Sequence, residues 1–134
     1  MFIDACALIA VLSEESEAER VSNAISLATK RFTSPVAILE TCLGLARPDK
    51  FGISVAAVEE IVMEFLEARG IELRDLPPAK RATKLALSAA NNYRQGRQGL
   101  NLGDCLHYAC AKYYGVPILA THDEFSATDL ETVP

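Results

Sequence analysis

The chain has 134 residues, half of them apolar and 23% charged, with a formal net charge of −5. That is the size of one domain spanning residues 1–134, and roughly two-thirds of its unfolded surface can be buried, so its composition is globular, not disordered. The acidic balance excludes a protein that grips nucleic acid by bulk charge alone, but not a nuclease whose positive potential comes from a basic edge and metal ions.

In chain order, Met1–Ile3 reads as a short buried strand that runs into Asp4, and Ala5–Leu12 as a buried helix. Residues 13–28 carry Ala18, Val21, Ala24, Ile25 and Ala28 at helical spacing behind an acidic first turn, which the helix dipole favours. Arg31–Thr33 is a short strand. Ser34-Pro35 starts a helix running to about Leu45, with Ser as N-cap and Pro at the first helical position. Arg47–Gly52 is a loop, and Val55–Arg69 an amphipathic helix closed by Gly70. Ile71–Leu76 is a strand stopped by Pro77-Pro78, and Ala79–Tyr93 a helix. After the basic loop RQGRQG, Asn101 caps a helix that Gly115 ends. Val116–Thr121 is a strand, and the tail holds a turn and a last small strand. Strands alternating with helices predict an α/β sandwich around a mostly parallel sheet.

No apolar run reaches membrane-spanning length. The opening MFIDACALIAVL lacks a basic leader and is broken by Asp4, so a cytoplasmic protein is expected. Cys6, Cys42, Cys105 and Cys110 form no C-x-x-C pair and read as small buried thiols. His107 and Cys110 share i,i+3 spacing, but no second pair completes a tetrahedral zinc set.

Five carboxylates stand out. Asp4 is the exception among twelve otherwise apolar residues, at the carboxyl end of a strand, where open α/β sheets place ligands. It is equally placed to cap the next helix. Glu40 borders the stripe Val36, Leu39, Leu43 and Ala46, either joining the buried face or snorkelling to water. Asp104 falls at the third position of its helix, where an acid satisfies orphan amides. Gly103 beside it permits close approach of another group. Asp123 and Glu124 follow the apolar strand directly. If the strands are neighbours these acids converge, and like charges that close require protons or cations. Mg²⁺ or Mn²⁺ suits carboxylate oxygens, and such a site activates water for phosphodiester displacement. Arg94 and Arg97, in the loop before Asp104, suit phosphate; Lys80, Arg81 and Lys84 read as an exposed helix face.

MFIDACAL at 1–8, the Glu of SPVAILE at 34–40, GRQGLNLGDC at 96–105 and DEFSATDL at 123–130 together resemble the PIN-domain ribonucleases, specifically the VapC-type toxins of toxin–antitoxin pairs, over essentially the whole length. The resemblance implies a three-layer α/β/α sandwich with a mainly parallel sheet of four or five strands. It implies a Mg²⁺-dependent endoribonuclease acting on RNA, silenced by a cognate antitoxin lying across helices 13–28 and 55–69, and homodimeric. Asp4 and Asp104 match the metal ligands, and Glu40 the residue that holds or acts on water. Either Asp123 or Glu124 fills the fourth acidic position. Cys6 stands where the family has Ser, Thr or Asn, which implies a lost hydroxyl contact, and His122 stands where it has Gly. The alternatives are a PIN nuclease of DNA or of RNA maturation, and a degenerate PIN module that binds RNA or protein without cutting. A phosphoacceptor receiver domain is disfavoured, because FIDACAL lacks paired acids.

Overall fold

The computed structural model describes residues 1–96 and 99–134; Arg97, expected above to contact phosphate, lies outside the described residues. Four parallel strands form one sheet: β1 (Phe2–Ile3), β2 (Phe32–Thr33), β3 (Glu72–Leu73) and β4 (Ile118–Leu119), in the order β3-β2-β1-β4. Phe2 is in register with Phe32 on one side and Ile118 on the other. A parallel bridge from Ile118 to Thr132 adds a fourth pairing, where the sequence places a last small strand. The helices among the described residues are α1 (Ala5–Leu12), α2 (Ala18–Leu27), α3 (Pro35–Ala46), α4 (Val55–Ala68), α5 (Ala79–Tyr93) and α6 (Leu102–Tyr114).

The period-2 alternation of the strands sorts the core into two layers. Phe2, Phe32 and Ile118 pack with Ala89 of α5 and with Cys105, Tyr108 and Ala111 of α6. Ile3 and Leu119 face the other way, onto Leu8 of α1, Val21 and Ile25 of α2, Leu45 of α3 and Val62 of α4. Each such large apolar side chain stabilises the fold by about 1.5–3 kcal/mol when fully buried. The result is the expected α/β/α sandwich. The neighbouring strands β1 and β4 run parallel and send their carboxyl ends toward the same edge.

Local signals set most boundaries. Ser34 Oγ accepts from Ala37 N at 3.2 Å with Pro35 behind it, and Ser54 Oγ accepts from Ala57 N at 3.1 Å. Gly115, at φ 65°, ends α6 in the left-handed conformation. Three expectations are corrected. The helix expected from residue 13 begins at Ala18, because Ser13 turns back onto Ile9 O (2.7 Å), Glu14 sits at φ 55°, and Glu15 leaves the axis to meet Lys50 Nζ at 2.7 Å. The strands expected over 71–76 and 116–121 pair over two residues each, since the chain leaves the sheet edge as soon as the helices' connections allow. The apolar stripe expected on α3 is split: Leu39 is 57% and Leu43 52% exposed, Val36 is half-buried and Ala46 packs against the core, while Ala37, Thr41, Cys42 and Leu45 are buried. Small residues let α3 approach closely, and Thr41 Oγ1 meets its own need by donating to Ala37 O (2.7 Å).

Candidate metal centre

Asp4 does both things its position suggests. It ends β1 with its N–H on Leu119 O (3.0 Å) and caps α1, accepting from Cys6 N at 3.4 Å. Only Oδ2 is used for this; Asp4 is 3% exposed, and its buried Oδ1 has no hydrogen-bond partner among the described residues. Asp104 likewise serves two ends. A capping box fixes it: Asp104 Oδ2 accepts from Asn101 N (3.0 Å), and Asn101 Oδ1 accepts from Asp104 N (2.8 Å). The half-buried carboxyl is pushed up to about 6, chiefly by burial. The Asn101 N–H opposes that rise and the charges of Asp4 and Glu124 add to it.

Glu40 reaches the cluster from α3 over the first turn of α6. A Cβ on Gly103 would stand 1.8 Å from Glu40 Oε1, so only glycine leaves room for this carboxylate. Gly103 thus admits the close approach expected of it, and the visiting group is Glu40. The positive ends of α1 and α6 both point into the cluster and offset part of its charge.

Asp123 and Glu124 lie in different surroundings. Glu124 is half-buried, 3.7 Å by its Oε1 from the Cys6 thiol and close enough to Asp104 to act on its charge. Asp123 is exposed and lies outside both groups of converging donor atoms, in a shallow groove with Glu17, Arg20 and Ser126. The Cys6 thiol donates to Asp4 Oδ2 at 2.7 Å and accepts from Thr121 N at 3.4 Å. It therefore takes up the contact that a hydroxyl was expected to make. Burial, then the Asp4 charge, raises its pKa strongly and keeps it a thiol. Arg94 ends α5 exposed, yet near enough to Cys105 to lower that thiol's pKa against the dominant effect of burial. It therefore flanks the first turn of α6.

The sequence pairs His107 only with Cys110, as half of an incomplete zinc set, and not with the acidic cluster. His107 is fully buried, one turn beyond Asp104 on the same face of α6, and stacked at 5.7 Å on Phe2. Its Nε2 lies 3.1 Å from Glu40 Oε1 and 3.3 Å from Asp4 Oδ1. Those distances suit an ion pair, but the alignment is not that of hydrogen bonds, and neither ring nitrogen has a hydrogen-bond partner among the described residues. Burial pulls the imidazole pKa down. The carboxylates of Glu40, Asp4 and Asp104 outweigh it, so the net shift is upward. The i,i+3 spacing from Asp104 was the available signal.

Two sets of donor atoms lie within 4.8 Å of one another: Asp4, Asp104 and His107, and Asp4, Cys6 and Glu124. Buried orphan atoms on Asp4, Glu40, His107 and Glu124 crowd one pocket, and such atoms are rare unless an ion or water serves them. The residues therefore fit a divalent cation. Among the described residues no helix is long and apolar enough to cross a membrane.

The chain is similar to known proteins end to end. Ribonuclease VapC30 of Mycobacterium tuberculosis is 34% identical over 139 residues, covering 99% of this chain and 98% of that one. Ribonuclease VapC of Mycolicibacterium smegmatis is 33% identical over 135 residues, covering 99% of each. The fold matches the crystal structure of Mycobacterium tuberculosis VapC20, a sarcin-ricin loop cleaving toxin, with TM-score 0.76 at 15% identity over 98% of this chain and 97% of that one. It also matches a toxin–antitoxin complex from Klebsiella pneumoniae, with TM-score 0.72 at 15% identity over 99% and 96%. The PIN domain profile matches residues 1–129, and with these full-length relatives it places the chain in the PIN-domain family, among the VapC ribonucleases.

Proposed function

We propose that the chain is a divalent-metal-dependent endoribonuclease, the toxin of a toxin–antitoxin pair, acting in the cytoplasm as a single PIN domain over residues 1–134. The observation that carries this reading is the pocket of orphaned, buried donor atoms at the carboxyl ends of β1 and β4. The names of its relatives support RNA as substrate.

A divalent cation would supply a more acidic water and positive charge at the phosphate. Asp4 and Asp104 would hold it, with Glu124 on the β4 side. Glu40 Oε1 would orient the attacking water and receive its proton. The Cys6 thiol keeps Asp4 Oδ2 turned away from the pocket, so that Oδ1 faces it. Arg94 meets a substrate phosphate beside the first turn of α6, and Arg97 is assigned to the same contact. Leu27 on α2 and Ile61 and Met63 on α4 are exposed apolar side chains on the two helices expected to meet a protein partner. We assign that partner as the antitoxin, and a second copy of the chain to a homodimer.

The test is Asp104→Asn, assayed for RNA cleavage and for Mn²⁺ binding by calorimetry. Cleavage and binding are both lost while the circular dichroism spectrum stays native. Undiminished cleavage by a clean Asp104→Asn preparation contradicts the reading. Native Mn²⁺ binding without cleavage of any RNA favours the module that binds without cutting.

A further inference from the structure

We infer that His107 is a ligand of the metal centre through Nε2, and that this nitrogen makes the centre prefer Mn²⁺ over Mg²⁺. The inference rests on the metal-nuclease reading above and deepens it. Three buried atoms without hydrogen-bond partners face one another here: Asp4 Oδ1, Glu40 Oε1 and His107 Nε2. Their separations of 3.1 and 3.3 Å from the nitrogen are ion-pair distances without hydrogen-bond alignment. Donors bound about 2.1 Å from a cation in octahedral array stand roughly 3 Å apart along an edge, close to the 3.3 Å between His107 Nε2 and Asp4 Oδ1. A histidine that merely fills a core has its nitrogens satisfied by carbonyls or hydroxyls. His107 is fully buried, with its ring against Phe2, and neither nitrogen is satisfied that way.

The placement is fixed by elements already rigid. His107 follows Asp104 by one turn of α6, and Asp104 is locked by the capping box, so the two donors move together. Asp4 is locked by its cap on α1. Asp4, Asp104 and His107 place one donor atom each within 4.8 Å of the others. Mg²⁺ holds to oxygen ligands and dehydrates reluctantly, whereas Mn²⁺, the first of the divalent transition series, shares its taste for carboxylates yet accepts an imidazole nitrogen more readily than Mg²⁺ does. One nitrogen among oxygens therefore shifts selectivity toward Mn²⁺ without excluding Mg²⁺.

The experiment is pulsed electron paramagnetic resonance of the whole chain loaded with Mn²⁺, reading nitrogen modulation of the electron spin echo. It is repeated on protein carrying ¹⁵N only in histidine. The modulation is expected in the native chain, changes to the ¹⁵N pattern with labelled histidine, and survives His122→Ala. In His107→Gln it is absent, and the ratio of Mn²⁺ to Mg²⁺ affinity falls by about tenfold or more. The labelling arm needs no variant, so misfolding of His107→Gln leaves the test intact. Stoichiometric Mn²⁺ that depends on Asp104 yet shows no histidine nitrogen overturns the inference and leaves the nuclease reading standing. Modulation lost in His122→Ala also overturns it. No Mn²⁺ binding in the native chain overturns both.

Discussion

A single hydrogen atom at Gly103 decides whether Glu40 can enter the cluster. Alanine there is the better helix former by about 1 kcal/mol. Yet its Cβ would sit 1.8 Å from Glu40 Oε1 and 2.7 Å from the carboxyl carbon. Gly103→Ala is therefore expected to reduce RNA cleavage at least about tenfold while changing unfolding free energy by less than about 1 kcal/mol, read by urea titration beside a cleavage assay. A loss of stability matching the loss of activity would mean that the glycine serves the helix and not the acid. At this scale much was legible. Asp4 stands out as an acid among apolar residues, Glu40 as an acid bordering an apolar stripe, and Asp104 as the third residue of a helix beside Gly103. That Glu124 and not Asp123 lies beside Cys6 was not legible, because adjacent residues in a turn share every sequence signal and differ only in where the turn points them. For His107 the sequence offers its spacing from Asp104, but nothing that says which acids lie opposite it.

Two elements hold the site's outer parts. The capping box of α6 ties Asp104 to Asn101, so Asn101→Ala removes both an N-cap and the brace on a carboxylate. It is expected to cost about 1 kcal/mol in urea denaturation and to weaken Mn²⁺ binding as well; weakened stability with unchanged binding would show that Asp104 holds its place without the box. On the other side, Arg20 of α2 donates to Ala120 O (2.8 Å) and Thr121 O (3.3 Å), pinning the segment that carries Glu124. Farther along, Asp129 accepts from Tyr108 Oη at 2.7 Å and pairs with Lys112, fastening the tail to α6. Element boundaries marked by caps, as at Ser34, Ser54, Asn101 and Gly115, could be read from sequence, because capping is local chemistry. The late start of α2 and the split stripe of α3 could not. Both depend on what the neighbouring layer offers: Lys50 for Glu15 in one case, and room for close packing in the other.

For the molecule as a whole, stability is coupled to charge at the cluster. Asp104, raised to about 6 from an ordinary value near 3.8, keeps a proton in the fold that the unfolded chain has released. Between those values the folded state binds more protons, so stability falls as pH rises. His107 has the same sign: its contribution is full below its ordinary 6.5 and is lost as pH rises through its higher folded value. Free of metal, the chain should melt at a higher temperature near pH 5 than near pH 8. A divalent cation supplies the charge that protons give in acid, so added Mn²⁺ should raise Tm more at the higher pH. Thermal melts in chelator and in Mn²⁺ check this; equal melting temperatures at both pH values in chelator would contradict it.

The strand order has a consequence for biosynthesis. β1 lies between β2 and β4, so the first strand made waits for the last before its second edge is covered. Cys6 and Glu124, which meet at the cluster, are 118 residues apart. At a synthesis rate of about 5–20 residues per second, roughly 6–24 s separate their emergence from the ribosome. Through that interval the growing chain carries Asp4 and Glu40 without Glu124, so the acidic cluster is among the last features of the fold to be completed.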